Sequence, residues 1–108
     1  MRQYVLDELS PGELNALKGI LKKRLEQGGT DNIFWLNLPD DLLTSIQYEH
    51  KACQPYAMAV EVGDTWVKFE ELVRSRVNLH CGCIGFATSI QRQFLARFID
   101  SVLDELGS

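Results

Sequence analysis

The sequence predicts an α+β fold: an antiparallel sheet of three to five strands with a central hairpin, flanked by N-terminal and C-terminal amphipathic helices. Two observations support this prediction. Apolar residues recur at helical spacing near both ends of the chain, and an alternating pattern with a tight turn lies between them. The chain has 108 residues, 45% of them hydrophobic, which suffices for one packed core. Residues 1–108 are therefore interpreted as a single domain.

The first predicted element is a helix that begins after Ser10. Serine can cap a helix, Pro11 suits the first turn, and Glu13 completes a capping box. The apolar residues that follow are three or four positions apart and form one stripe: Leu14, Leu17, Ile20, Leu21 and Leu25. Gly28 and Gly29 predict the end of this helix.

A short aromatic segment, Ile33 to Leu38, predicts a strand that Pro39 ends. Residues 40–52 fit either a helix or a strand, and a helix is preferred because two aspartates follow the proline. The choice affects function. His50 and Cys53 share one face only if this segment is helical, because residues i and i+3 are neighbours on a helix.

A central hairpin is predicted from two alternating runs, Tyr56 to Val62 and Thr65 to Val73, which flank the turn formers Gly63 and Asp64. This register places seven apolar side chains on one face: Tyr56, Met58, Val60, Val62, Val67, Phe69 and Val73. Trp66 falls on the other, mostly polar face near the tip. It is a candidate partner-binding residue, because exposed tryptophan often anchors an interface. The alternative is that it packs under a neighbouring helix or loop.

The segment from Val77 to Phe86 predicts a further strand, and a second capping box from Thr88 to Gln91 begins the C-terminal helix. This helix is predicted to reach about Leu106. Its wide apolar stripe would cover a sheet face, and a homodimer would bury any excess. The stripe contains Ile90, Phe94, Leu95, Phe98, Ile99, Val102, Leu103 and Leu106.

All cysteine and histidine residues fall in two short clusters, His50-x-x-Cys53 and His80-Cys81-x-Cys83. A metal site would use His50, Cys53, Cys81 and Cys83, which together form a Cys₃His zinc set. The spacing argues against it, because the second cluster is C-x-C. In a strand those two Cβ atoms lie about 7 Å apart, whereas two sulfurs on one zinc ion lie about 3.8 Å apart.

Strand alternation instead groups Cys81 and Cys83 with Val77 and Leu79, as expected for inert core thiols. The sequence therefore favours buried cysteines and no bound cofactor. Thiol chemistry is a further alternative, through a labile Cys81–Cys83 disulfide or a nucleophilic Cys53.

Composition narrows the function. The net charge is −4 and there is no basic block, which argues against a nucleic-acid or anionic-membrane partner. There is no apolar run of about 20 residues, no secretory h-region at the N-terminus, and no nucleotide-binding or hydrolase motif. The sequence thus favours a cytoplasmic, non-catalytic interaction or regulatory module that binds a protein partner or itself. A zinc-binding or thiol-redox accessory protein is the alternative, and an enzyme ranks third.

Overall fold

A computed structural model describes residues 3–78 and 80–107. In these ranges the chain forms a six-stranded antiparallel sheet, three α-helices and two short 3₁₀ turns. The α+β prediction is confirmed, but three to five strands was too low a count. The strands are β1 (Gln3–Leu6), β2 (Glu26–Gln27), β3 (Ile33–Asn37), β4 (Tyr56–Val62), β5 (Val67–Ser75) and β6 (Gly85–Phe86). The helices are α1 (Pro11–Arg24), α2 (Ser45–Glu49) and α3 (Ser89–Leu106).

Helix α1 begins as predicted, with both hydrogen bonds of the Ser10–Glu13 capping box present. Its predicted end at Gly28 is wrong. Leu25 has an extended backbone, and the next two residues form β2, which pairs with β3. The backbone N–H of Gly28 donates to the carbonyl of Ile33 (2.6 Å), so this glycine belongs to the β2–β3 connection.

The sheet has the order β1-β5-β4-β3-β2, with β6 paired to the same edge of β5 as β1. The central hairpin β4–β5 is confirmed, but its turn has four residues because Val62 pairs with Val67. The shift from the predicted register is two residues next to the turn and four residues beyond an irregularity between Met58 and Val60. Side chains in a strand alternate with a period of two, so the predicted core face is preserved.

The core lies between this face of the sheet and helices α1 and α3, which also pack against each other. The seven hairpin residues predicted to share a face are all buried. The predicted α3 stripe is too wide: Ile99 is 3% exposed, whereas Ile90 is 61% exposed and Leu103 is also exposed. The helix therefore buries a narrower face than its composition indicated.

Trp66 lies in the hairpin turn and is half-buried. Its indole ring occupies the space where a Cβ on Gly63 would fall, so the turn requires glycine there. The ammonium nitrogen of Lys68 lies 4.5 Å from the indole centroid. Trp66 therefore packs on its own turn, and a partner-binding role for it stays a prediction.

Two segments differ from simple expectation. Residues 40–53 form three short helical pieces instead of one helix. Two 3₁₀ turns, at Asp40–Leu42 and Lys51–Cys53, lie on either side of α2. The predicted strand from Val77 to Phe86 is wrong, because within its described residues only Gly85–Phe86 is β-strand. Turns interrupt it: the N–H of Cys81 donates to the carbonyl of Asn78, and the N–H of Ile84 donates to that of Cys81. Leu79 lies outside the described residues.

Candidate metal centre

The two Cys/His clusters meet at one end of the sheet. The Nδ1 atom of His50 lies 2.9 Å from Sγ of Cys83, 3.6 Å from Sγ of Cys81 and 3.7 Å from Sγ of Cys53. The ligand atoms of His50, Cys53 and Cys81 all lie within 4.8 Å of one another. Every cysteine of the chain therefore contacts a single imidazole nitrogen.

The end of α2 brings His50 and Cys53 together. The N–H of His50 donates to the carbonyl of Ile46 (3.1 Å) and closes the helix. The carbonyl of His50 then accepts from the N–H of Cys53 (3.0 Å) in the following 3₁₀ turn. His50 itself is not helical, because it forms the break between α2 and this turn (φ −86°, ψ 69°), yet its Nδ1 still lies 3.7 Å from Sγ of Cys53.

A pair of turns presents Cys81 and Cys83. The side-chain oxygen of Asn78 accepts from the N–H of His80 (3.0 Å), and its carbonyl accepts from Cys81 (3.1 Å). Asparagine stabilises turns by bonding to backbone two residues on. The C-x-C pair therefore lies on a turn, so the strand separation that argued against a metal site does not apply here.

Buried polar side chains fix the backbone beneath the site. The hydroxyl of Tyr56 donates to the carbonyl of His50 (3.4 Å), and the carboxamide of Gln47 donates to that of Cys83 (3.4 Å). The hydroxyl of Ser75 donates to the carbonyl of Cys53. All three of these side chains are buried, so the core positions the site residues before any ligand binds.

Ser75 also fixes the start of the loop that carries Cys81. Its hydroxyl oxygen accepts from the N–H groups of Val77 (3.3 Å) and Asn78 (3.0 Å). The next residue, Arg76, forms an ion pair with Glu26, and its guanidinium lies 5.4 Å from the ring centroid of Trp35. A hydrogen bond from Asn37 and the charge of Arg76 together lower the pKa of Glu26. The loop is thereby attached to β2 and β3.

Tyr56 is almost fully buried beneath the site, with 1% of its surface exposed. Burial, together with a hydrogen bond to Cys83 and the charge of that thiol, raises the pKa of Tyr56 to about 12. The phenol is therefore neutral at physiological pH and can act as a hydrogen-bond donor beneath the sulfur.

Cys53 and Cys81 are joined by a disulfide, with Cα atoms 6.4 Å apart, and Cys83 is a free thiol. The predicted Cys81–Cys83 disulfide is therefore not the pair that forms. Reduced, the three cysteines and His50 are a complete zinc donor set of the Cys₃His type. A nitrogen and a sulfur bound to one tetrahedral zinc ion lie about 3.5 Å apart. The distances of 3.6 and 3.7 Å match this value, so His50, Cys53 and Cys81 fit the ion, whereas Cys83 lies outside the group of ligand atoms that are all within 4.8 Å of one another.

Of the four residues in the predicted metal set, His50, Cys53 and Cys81 come together as a group, and Cys83 joins them through its contact with His50 alone. His80 is exposed and takes no part in the cluster. The prediction that Cys81 and Cys83 are inert core thiols is wrong, because Cys81 is buried but bonded to Cys53 and Cys83 is only half-buried, while His50 is exposed. The site therefore has a buried side and a side that opens to solvent.

Sequence reasoning missed the polar residues that support the site. Gln47 had a detectable signal, because Thr44-x-x-Gln47 has capping-box spacing and forms that box in the structure. Ser75 accepts from the N–H groups two and three residues further on, which is a local turn pattern of serine, but its hydrogen bond to the carbonyl of Cys53 joins distant residues and no local pattern indicates it.

Comparison of the chain with known protein families, with curated proteins and with solved structures finds no match in any of the three. None of the helices in the described ranges is long and apolar enough to cross a membrane.

Proposed function

We propose that this protein binds one zinc ion in a structural site formed by His50, Cys53, Cys81 and Cys83. The observation that supports the proposal is the convergence of all three cysteine sulfurs on Nδ1 of His50. The residues come from two segments, and Cys53 and Cys81 are 28 positions apart.

A zinc ion explains more of this arrangement than a disulfide does. The Cys53–Cys81 disulfide accounts for two of the four side chains and gives no reason for His50 and Cys83 to join them. A tetrahedral ion accounts for all four. The approach of 2.9 Å between His50 and Cys83 is about 0.6 Å closer than two ligands of one zinc ion allow. Cys83, which is half-buried, would therefore have to change its side-chain position to complete the donor set.

The donor set favours a structural role over a catalytic one. Catalytic zinc keeps an open position for water or substrate, whereas four protein ligands close the coordination sphere. This agrees with the sequence-based prediction of a non-catalytic protein. The ion would hold the 3₁₀ turn at Lys51–Cys53 against the loop after β5, joining two segments that have little regular structure of their own.

The redox state of the compartment decides which form prevails. Zinc requires thiolates, and thiols stay reduced in the cytoplasm, which is the compartment that we predict for this protein. The proposal therefore applies to the reduced chain. Zinc binding would release protons from the thiols, so its affinity should fall as the pH is lowered.

Elemental analysis of protein purified with a dithiol reductant tests the proposal, and we expect one zinc ion per chain. Cobalt substitution should give the d–d absorption of a tetrahedral thiolate site. His50→Ala should lower metal content and affinity strongly, because it removes the central ligand. His80→Ala is the matched control and should bind zinc like the wild type. Failure of the reduced wild-type chain to bind zinc, or equal binding by the two variants, would refute the proposal.

One observation also favours the predicted interaction module. Eight large apolar side chains in the described ranges are exposed, and five of them lie within seven positions of a site residue: Ile46, Tyr48, Val77, Phe86 and Ile90. We propose that the zinc-loaded protein self-associates through the exposed apolar side chains of α2, where Ile46 is the most exposed of the eight.

Sedimentation at micromolar concentrations should show a dimer, which Ile46→Ser should weaken because that side chain is 69% exposed. A monomer at every concentration for both proteins would contradict self-association.

A further inference from the structure

We propose that the candidate metal centre is also a redox switch, in which formation of the Cys53–Cys81 disulfide expels the zinc ion. This inference rests on the proposed zinc site and adds its regulation. It is supported by the fact that the same two sulfurs serve both states: they are bonded to each other in the structure, and they lie at zinc-ligand distances from His50.

The two states differ by a small movement. Bonded sulfurs lie about 2.05 Å apart, and two sulfurs on one zinc ion about 3.8 Å apart. The sulfurs of Cys53 and Cys81 must therefore separate by about 1.7 Å, which rotation about the two Cα–Cβ bonds can supply. The backbone can stay in place during this movement. The hydroxyl of Ser75 donates to the carbonyl of Cys53 and the N–H of Ile84 donates to the carbonyl of Cys81, and neither hydrogen bond has to break.

Disulfide formation removes too many ligands for zinc to remain. Disulfide sulfurs carry no thiolate charge, and the thiolate is the form that binds metal. Only His50 and Cys83 would remain as donors, which is half of a closed tetrahedral set. The ion would then depart through the solvent-exposed side of the site at His50.

Hydrogen peroxide is a chemically sufficient oxidant. One thiolate, of Cys53 or Cys81, attacks a peroxide oxygen, breaking the O–O bond to give a sulfenic acid and hydroxide. The second thiolate attacks that sulfur, forms the S–S bond and expels hydroxide. Two electrons pass from the two sulfurs to peroxide, and two protons convert the two hydroxides to water. A dithiol reverses the reaction by exchange, becoming a disulfide itself while both cysteines are reduced.

The choice of sulfurs makes the proposal specific. Cys83 is two residues from Cys81 in the sequence and would be the expected partner on that ground. In the structure Cys81 is bonded to Cys53, and Cys83 contacts His50 as a free thiol. The switch therefore predicts one disulfide out of three that are possible. Cys83 should remain a thiol in the zinc-free state.

Stoichiometric peroxide added to reduced, zinc-loaded protein tests the inference. A chromogenic chelator measures the released zinc, and peptide mass mapping after alkylation identifies the disulfide. We expect zinc release in step with Cys53–Cys81 formation, an alkylated Cys83, and full zinc rebinding after treatment with a dithiol. His80→Ala should behave like the wild type, whereas Cys53→Ser should lose the mapped disulfide.

Zinc that stays bound after the Cys53–Cys81 disulfide has formed would overturn the switch. So would release that accompanies a Cys81–Cys83 disulfide or no disulfide at all. Each of these results leaves the zinc site itself intact. A reduced chain that never binds zinc would refute the proposed function, and the switch with it, so the two failures are distinguishable.

Discussion

The side chains of Gln47 and Gln91 are hydrogen-bonded to each other inside the protein, with Nε2 of Gln91 lying 3.0 Å from Oε1 of Gln47. Both residues are buried. Each also completes the capping box of its own helix: Oε1 of Gln47 accepts from Thr44, and Oε1 of Gln91 accepts from Thr88. The first turns of α2 and α3 are therefore fixed to each other by a buried polar pair.

This pair reaches the metal centre. The second donor of Gln91 is directed to the carbonyl of Leu42 (2.9 Å), and Gln47 donates to the carbonyl of Cys83. The position of Cys83 thus depends on a network that begins in α3. Buried networks of this kind stabilise a structure only when every member is satisfied, and in the described ranges no buried side-chain polar atom lacks a partner.

Gln91→Leu should lower the free energy of unfolding by about 2–4 kcal/mol, because it removes the hydrogen bonds of Gln91 to the buried side chain of Gln47, to the carbonyl of Leu42 and to the N–H of Thr88. It should also weaken zinc binding roughly tenfold, since Gln47 would no longer be fixed. Chemical denaturation and a zinc titration measure the two effects. Gln93→Leu, at an exposed position of the same helix, is the matched control. Equal stability of the two variants would contradict the role assigned to the network.

Removal of zinc from the reduced protein should lower its stability. A ligand that binds only the native state stabilises it by about 3–4 kcal/mol when its free concentration is 100 to 1,000 times its Kd. Thermal unfolding with and without a chelator, under a dithiol, measures this difference. The His50→Ala variant should respond much less to chelator, because it lacks the central ligand. Chelator sensitivity equal to that of the wild type would contradict coordination by His50.

Two isoleucines of α3 provide a test of the packing. Ile99→Ala should destabilise the fold by about 2–5 kcal/mol, because the side chain is 3% exposed and its removal leaves a cavity. Ile90→Ala should change stability by no more than about 0.5 kcal/mol, because that side chain is 61% exposed. Urea denaturation of the two variants measures both values. Similar losses would mean that α3 buries the wide stripe predicted from its sequence.

The start of α1 should be sensitive to acid. Hydrogen bonds from the backbone and side chain of Ser10 lower the pKa of Glu13 below 4.5. Stability contributed by a carboxylate with a lowered pKa is present above the unfolded-state value and is lost as the pH falls through the folded-state value. The Glu13 contribution should therefore be complete at neutral pH and decline below pH 4.5.

Glu13→Gln is the matched control for this effect, because glutamine keeps the capping geometry, as Gln47 and Gln91 do, and does not titrate. Denaturation of the wild type and the variant across the acidic range compares them. The difference between the two proteins should narrow as the pH falls. A difference that does not depend on pH would show that the charge of Glu13 is unimportant.

The sequence was most informative where a pattern repeats. The bounds of α3 and the core face of the hairpin followed from periodicity, and the hairpin face remained correct because the register error was an even number of residues. Strands β1 and β2 were missed because four and two residues are too few to show alternation.

The candidate site was predictable in its residues and not in its geometry. The i, i+3 spacing of His50 and Cys53 indicated a shared face, and the structure confirms the contact. The segment around Cys81 was misread as a strand because its apolar residues outweighed its turn formers, Asn78 and Gly82. The meeting of the two segments is set by tertiary packing, through Ser75 and Tyr56, which a local pattern does not encode.

The Cys53–Cys81 link encloses β4 and β5, the two central strands of the sheet. A cross-link over a loop of this length restricts the unfolded chain and so stabilises the native state by roughly 3.6 kcal/mol in the chain-entropy description. A zinc ion bridging the same two residues closes the same loop. The oxidised and the metal-bound chains would thus share one topological constraint. The protein could exchange its ion for a covalent bond while the loop that contains the two central strands stays closed.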